Sequence, residues 1–351
     1  MLLKQVINWL ARLGLAFFIS FAVVACGEKN TEVSFSGKTM GTTYSVKYLS
    51  ESKQNLLSPA EVQQALDRTL QEVNRQMSTY QKDSEISRFN QWQQVDTPFA
   101  IAPEFAKVVQ EAIRLHQLTD GALDITVGPL VNLWGFGPEN RPDKAPSAQE
   151  IDARRAWIGL DKLTLGKQGT QHQLSKSVPN LYIDLSSIAK GFGVDQLAEY
   201  LDSLHIANYM VEIGGEIRAK GLNQAGKAWQ IAIEKPEFDG SRAVQQIIGL
   251  QNMAMATSGD YRNYFEQDGV RFSHEIDPKS GKPIQHNLVS VTVLNPSTMT
   301  ADGLATGLFV LGADRALAIA EKNNLAIYLI IKTNTGFETK MSSAFQQISA
   351  Q

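Results

Sequence analysis

Apolar and polar positions alternate with changing period along this chain, and the changes predict its elements. "FSGKTMGTTYSVKYL" has the period of a strand, with Gly37 and Gly41 as turns or close approaches. In "SPAEVQQALDRTLQEVNRQMSTY" the period becomes helical. Ala65, Leu70, Val73 and Met77 form one stripe, and Ser58, Pro59 and Glu61 supply an N-terminal signal. A second helix is predicted over Pro103–His116. "TDGALDITVGPLVNLWGFGPENRPDKAPSAQE" is loop-rich and ends in a polar, Pro-containing segment that suits an insertion or a subdomain joint. A short helix precedes "WIGLDKLTL".

The second half interleaves strands and helices. "LYIDLSSIAKGFGVDQLAEYLDSLHI" reads as a strand entering a helix, and "NYMVEIGGEIRAKG", "AWQIAIEKP" and "LVSVTVLNP" read as strands. "AVQQIIGLQNMAMATSGDYRNYF" continues as strands with a turn, "TMTADGLATGLFVLGADRALAIAEKN" holds two helices, and "LAIYLIIKT" closes the sheet. Strand pairs of antiparallel character among helices predict an α+β fold, with mixed, largely antiparallel sheets and packed helices, not a doubly wound one. No repeat of fixed period is present.

Composition changes this picture mainly at the N-terminus. Lys4 and Arg12 precede a short apolar run from about Leu13 to Ala25, as in a secretory signal. Cys26, the only cysteine of 351 residues, follows "VVA" directly. This pattern resembles a bacterial lipobox and implies cleavage before Cys26 and lipidation there. An ordinary signal peptide is the alternative. The expected organisation is a signal over 1–25, a lipid-anchored polar tether over 26–36 and one domain over 37–345, on the periplasmic side of a membrane. Gly27 is not the aspartate that commonly marks inner-membrane retention, so the choice of membrane stays open. A single cysteine excludes a disulfide framework and a zinc–thiolate site. The net charge of -3, without a basic block, gives no support for nucleic-acid binding.

Four stretches can carry chemistry. Asp302 and Thr306 lie four apart at the start of a helical pattern, so their oxygens share a face suited to Mg²⁺; helix capping is the simpler alternative. Asp184, Ser186, Ser187 and Lys190 fall where a strand becomes a helix, a place that offers free N–H groups to an anion, or simple capping by a serine. Trp134 and Phe136, among glycines in residues 124–138, can wrap a flat aromatic ligand or plug a loop. "HEIDPKSGKPIQHN" holds two of the five histidines around a tight turn, without the third ligand a zinc site would need. His274 is there a candidate general base or an ordinary strand-end residue.

Taken together, "GKTMGTTYSV", "MSTYQKDSEISRFN", "TDGALDITVGPLVNLWGFGP", "YIDLSSIAKGFGVDQLAEYL", "EIGGEIRAKG", "TSGDYRNYF", "SHEIDPKSGKPIQHNLVSVTVL" and "TADGLATGLFVLG" resemble the ApbE family of FAD:protein FMN transferases, in order, from Gly37 to about Lys332. The resemblance implies an ApbE-like, T-fold-related domain that joins the FMN half of FAD to a threonine hydroxyl with Mg²⁺, releasing AMP. It implies extracytoplasmic subunits of the Na⁺-translocating NADH:quinone reductase and Rnf complexes as targets. By correspondence it puts the metal at Ser187, Asp302, Ala305 and Thr306, with Ser187 where many relatives carry Thr and Ala305 where some carry Asp. It puts FAD against Met40, Tyr80, Ala122, Leu123, Asp124, Asp184, Lys190 and Ile276, Lys190 standing where some members have Glu. His274 is then the candidate base, Asp277 its orienter, and His286 a structural residue. An FAD pyrophosphatase releasing FMN and AMP and a non-catalytic FAD-binding lipoprotein are the alternatives.

Overall fold

In the computed structural model, residues 31–50, 57–138, 144–235, 243–259, 264–267 and 270–350 are described. Cys26 and the signal segment lie outside them. The chain begins with strands β1 (Thr31–Thr39) and β2 (Thr42–Ser50) and helices α1 (Pro59–Met77) and α2 (Glu85–Gln91). Next come β3 (Phe99–Ile101), α3 (Pro103–Leu118), α4 (Gly128–Leu133), α5 (Ala148–Arg155), β4 (Leu163–Gln168), β5 (Gln171–Lys176) and α6 (Ala189–Ser203). Strands β6 (Tyr209–Ile213), β7 (Glu216–Lys220), β8 (Trp229–Lys235), β9 (Ala243–Leu250) and β10 (Met253–Gly259) follow, then the short β11 (Tyr264–Gln267), β12 (Val270–Ser273), β13 (Ile276–Asp277) and β14 (Lys282–Pro283). The chain ends with β15 (Leu288–Asn295), α7 (Thr298–Leu311), α8 (Ala313–Lys322), β16 (Ala326–Thr333), β17 (Gly336–Met341) and α9 (Ser343–Ser349).

An eight-stranded sheet in the order β1-β2-β6-β7-β10-β15-β16-β17 forms the frame, and every neighbouring pair in it is antiparallel. The α+β expectation agrees with this arrangement. Both faces of the sheet are covered at β16, which explains why "AIYLII" is a continuous apolar run. Ile327, Leu329 and Ile331 point into the core beneath α7, while Ala326, Tyr328 and Ile330 pack with Phe345 and the β8–β9 hairpin on the opposite face. On the first face α6 and α7 lie side by side, with α1 against α6 and α3 against α7.

Several expectations need correction. Residues 31–36, assigned to the tether, belong to β1, registered against β2 from Thr31↔Ser50 to Thr39↔Thr42. The stripe of α1 runs through Val62, Leu66, Leu70, Val73 and Met77, with Ala65 only partly buried, because Val62 and Leu66 complete the helical period. "LYID" is extended but unpaired with any sheet. It is held by Asn90 (Ile183 N–H to Oδ1, 2.8 Å) and by Ile125 (Asp184 N–H to its carbonyl, 2.8 Å). β16 does not close the sheet, since β17 pairs beyond it. The Ser58–Glu61 capping box and the two C-terminal helices agree with the expectation.

Candidate active site

Helix α7 carries the densest chemistry and is buried along most of its length, with Asp302 almost inaccessible. Small residues let α6 lie this close. A Cβ on Gly191 would meet the Thr298 carbonyl oxygen of α7 at 2.4 Å, while one on Gly193 would face the other way, toward Met40 Cε at 3.0 Å. The contact places the Gly191 N–H at 2.9 Å from Oδ2 of Asp302. Thr306, one turn on, shares a 3.1 Å hydrogen bond with Ser258 of β10.

Lys190 opens α6, and its ammonium lies 2.8 Å from Oε2 of buried Glu216, the first residue of β7. Burial alone would lower the Lys190 pKa, but Asp302, Glu216 and Glu275 outweigh it and hold the group raised and charged. Burial pushes the Asp302 pKa up to about 7. Glu216 and Glu275 add to the rise, and Lys190 and the Gly191 N–H oppose it. One lysine thus compensates a concentration of carboxylates.

These groups face a cavity of about 340 Å³. Its walls include Tyr80, Ala122, Leu123, Asp124, Asp184, Ser187, Lys190, His274, Ile276, Asp302 and Thr306, with Phe136, Val131 and Val310 as apolar surface. Positions spread over more than two hundred residues of sequence therefore meet in one place. Asp184 accepts from the N–H (2.8 Å) and hydroxyl (2.5 Å) of Ser186, and Asp124 accepts from the N–H (2.8 Å) and hydroxyl (2.6 Å) of Thr126; both hold loop backbone beside the cavity. Tyr80 is 67% exposed, an available aromatic face at the mouth. Of the two aromatics expected around a ligand, Phe136 lines the cavity, whereas Trp134 is a plug: it is buried against Phe272 and donates from Nε1 to the Gly281 carbonyl at 2.9 Å.

Three expected residues are not on these walls. Met40 has a left-handed backbone (φ 49°) at the β1–β2 turn and lines an adjoining groove that shares Tyr80, Ser186 and Lys190 with the cavity. Ala305 is fully buried in the core, because a helix that turns Asp302 and Thr306 to the cavity turns Ala305 inward. Asp277 is committed to its own turn, accepting from the N–H groups of Lys279 (3.0 Å) and Ser280 (3.2 Å). Among the described residues, Glu275 brings a carboxylate oxygen to 3.4 Å from His274 Nε2. His286 donates from Nε2 to the Phe309 carbonyl at 2.9 Å, a helix-end contact. Among the described residues no group of three or more His, Cys, Asp and Glu side chains has the arrangement of a metal cage.

Comparison with known proteins bears on the same residues. A family model described as "ApbE family" matches residues 40–329. The chain belongs to the ApbE family. A protein from Haemophilus influenzae named FAD:protein FMN transferase is 60% identical over 335 residues, which is 95% of this chain and 96% of that one. The solved structure of the flavin transferase ApbE from Vibrio cholerae is 55% identical and superposes with a TM-score of 0.84 over 91% of this chain and 99% of its own. The ApbE protein of Thermotoga maritima, 27% identical, superposes at 0.78 over 92% of this chain and all of its own.

Within this ApbE chain, sequence reasoning missed Glu216, Glu275, Ser258 and Asp195. Asp195 left a legible signal: it falls in the buried stripe Gly191, Phe192, Val194, Leu197, Ala198, Leu201 of α6, where an aspartate needs a partner. The roles of Glu216 and Ser258 depend on strand register, which no local pattern shows.

Proposed function

We infer that this chain is an FAD:protein FMN transferase that moves the FMN half of FAD, with Mg²⁺, to a threonine hydroxyl of a partner protein. The observation that carries this reading is one cavity lined by hard oxygen donors, a lysine, an imidazole and apolar and aromatic surface. Those are the needs of a substrate with a flat ring system and a pyrophosphate.

The donor set suits Mg²⁺. Asp302 offers a carboxylate, and Ser187 and Thr306 offer hydroxyls. Among the described residues, the carboxylates of Asp302, Glu216 and Glu275 outnumber the one ammonium, Lys190, that lines the cavity with them, a balance that a bound cation would complement. These donors are too few to fill an octahedral shell, which leaves room for water and substrate phosphate, the usual habit of Mg²⁺. A bound Mg²⁺ would supply charge stabilisation on the phosphate oxygens. Lys190, held by Glu216, binds a phosphate oxygen, and Tyr80 offers a ring for stacking. The threonine oxygen attacks the FMN phosphorus, the phosphorus–oxygen bond to the AMP half breaks, and AMP leaves with the bridging oxygen. His274 takes the threonine proton, and the Glu275 carboxylate steadies the imidazolium.

The setting proposed is the periplasmic side of a bacterial membrane, with a lipid on Cys26 as anchor. Target threonines would lie in subunits of the Na⁺-translocating NADH:quinone reductase and Rnf complexes. Among the described residues no helix is long and apolar enough to cross a membrane. The test is incubation of the protein with FAD, Mg²⁺ and a target fragment. In-gel flavin fluorescence with a mass gain of one FMN less water is the expected result. Free FMN and AMP with an unmodified target would replace transfer by hydrolysis.

A further inference from the structure

Asp195, two turns into α6, is buried, and its carboxylate collects five donors from other elements. Oδ1 accepts from the N–H (3.0 Å) and hydroxyl (2.8 Å) of Thr298 and from Nη1 of Arg218 (2.9 Å). Oδ2 accepts from the Ser297 hydroxyl (2.8 Å) and the Met299 N–H (3.0 Å). The N–H groups of Thr298 and Met299 are the first of α7, which have no partner inside that helix. Ser297 caps the same helix locally, accepting from the Thr300 N–H at 3.3 Å. A second helix's carboxylate therefore finishes the cap that α7 cannot finish itself.

The exchange is reciprocal. Asp195 of α6 holds the start of α7, and Asp302 of α7 accepts from Gly191 at the start of α6. Strand β7 fixes α6 from below. Glu216 and Arg218, two residues apart and so on one face of the strand, hold Lys190 and Asp195 respectively. The sliding of α6 along α7 is thus pinned at both ends of a one-turn stretch. That register sets where Ser187 and Lys190 stand relative to Asp302 and Thr306, and a slip of one residue would move them by about 1.5 Å.

We propose that Asp195, itself held by Arg218, is a positioning residue that sets the geometry of the Ser187–Asp302–Thr306 cation site. This rests on the reading of that site as the Mg²⁺ site. Asp195 touches neither substrate nor metal in this scheme; it acts through the α6–α7 register. Asp195→Asn tests it, because the amide keeps the shape but, whichever way it is turned, sets its N–H₂ against a backbone N–H of Thr298 or Met299 that can only donate.

The experiment is a calorimetric Mg²⁺ titration of the intact, FAD-free protein, with kcat and KM for FAD measured alongside. Asp195→Asn is expected to weaken Mg²⁺ binding by about 10–100-fold, the range for groups that orient metal ligands. It should lower kcat while KM for FAD moves by less than about threefold, since the ring contacts lie elsewhere. Thr298→Val removes one of the five donors at nearly constant shape and is expected to weaken Mg²⁺ binding by about threefold, one hydrogen bond's share. It decides the matter if the asparagine variant does not fold. Ile330→Val, on the opposite face of the sheet, is the control for general destabilisation and is expected to leave Mg²⁺ binding unchanged. Mg²⁺ affinity at the wild-type value in Asp195→Asn, or in Thr298→Val where that is the folded variant, overturns the proposal. Equal weakening in Ile330→Val does the same. A wild-type protein that flavinylates its target without binding Mg²⁺ overturns the metal reading first, and the proposal with it.

Discussion

Gly191→Ala measures how tightly the two site helices are fitted. The added Cβ would lie 2.4 Å from the Thr298 carbonyl oxygen, 2.7 Å from its carbon and 2.8 Å from Cβ of Asp302. All three are backbone or backbone-proximal, so no side chain can swing away, and α6 and α7 must part by roughly 1 Å. Overpacking of this kind costs about 1–3 kcal/mol, and the rigid neighbours put this case at the upper end. Alanine returns about 1 kcal/mol of helix propensity. The net loss is about 2 kcal/mol, a fall in Tm of about 3 °C in a chain of this size. The same displacement carries Asp302 away from Ser187 and Lys190, and a misplacement of about 1 Å costs about 10²-fold in rate. Gly193→Ala on the same helix is the internal comparison: it gains the same propensity, but its new Cβ meets side-chain ends, Met40 Cε (3.0 Å), Ile213 Cδ1 (3.1 Å) and Leu70 Cδ2 (3.7 Å). Thermal unfolding and target flavinylation at 20 °C, well below either Tm, read both effects. A Gly191→Ala protein as stable and as active as Gly193→Ala would refute the argument.

Other expectations are as direct. His274→Ala should slow flavinylation by about 10²–10⁴-fold with little change in FAD affinity. Glu275→Gln should slow it more than Asp277→Asn does, and the reverse order would return the orienting role to Asp277. Asp302→Asn should abolish transfer yet leave measurable FAD binding by fluorescence quenching, and near-normal turnover would remove Asp302 from the site. Lys176 is buried with its ammonium donating to the carbonyls of Phe89 (3.2 Å), Asn90 (3.3 Å) and Leu181 (3.1 Å), and burial lowers its pKa to about 8 from 10.5. The unfolded chain then binds the extra proton between those values, so this lysine makes stability rise with pH from about 8 to 10.5, by about 3 kcal/mol in all. The denaturant midpoint of wild type relative to Lys176→Met should climb across that window, and a constant difference would show the ammonium to be unperturbed. Cys26→Ser should release the protein from the membrane fraction, and firm retention would count against lipidation.

What the sequence alone determined was whatever repeats with a local period or sits in a contiguous motif. The amphipathic stripe and capping box of α1, the α+β class and the motifs "DITVGPLVNLWGFGP" and "HEIDPKSGKPI" were legible because their physics acts within a few residues. The pairing of Asp302 with Thr306 was legible for the same reason, since four residues are one helical turn. Only the tertiary structure decided which carboxylate each cationic or imidazole group meets. Asp277 lies near His274 in sequence, yet a tight turn claims its oxygens, and among the described residues it is Glu275 that stands beside the imidazole. Glu216 reaches Lys190, and Arg218 reaches Asp195, because β7 passes beneath α6, twenty-six and twenty-three residues away along the chain respectively. Antiparallel register and helix packing set those distances, and both are free energies of the whole assembled core that no segment carries by itself.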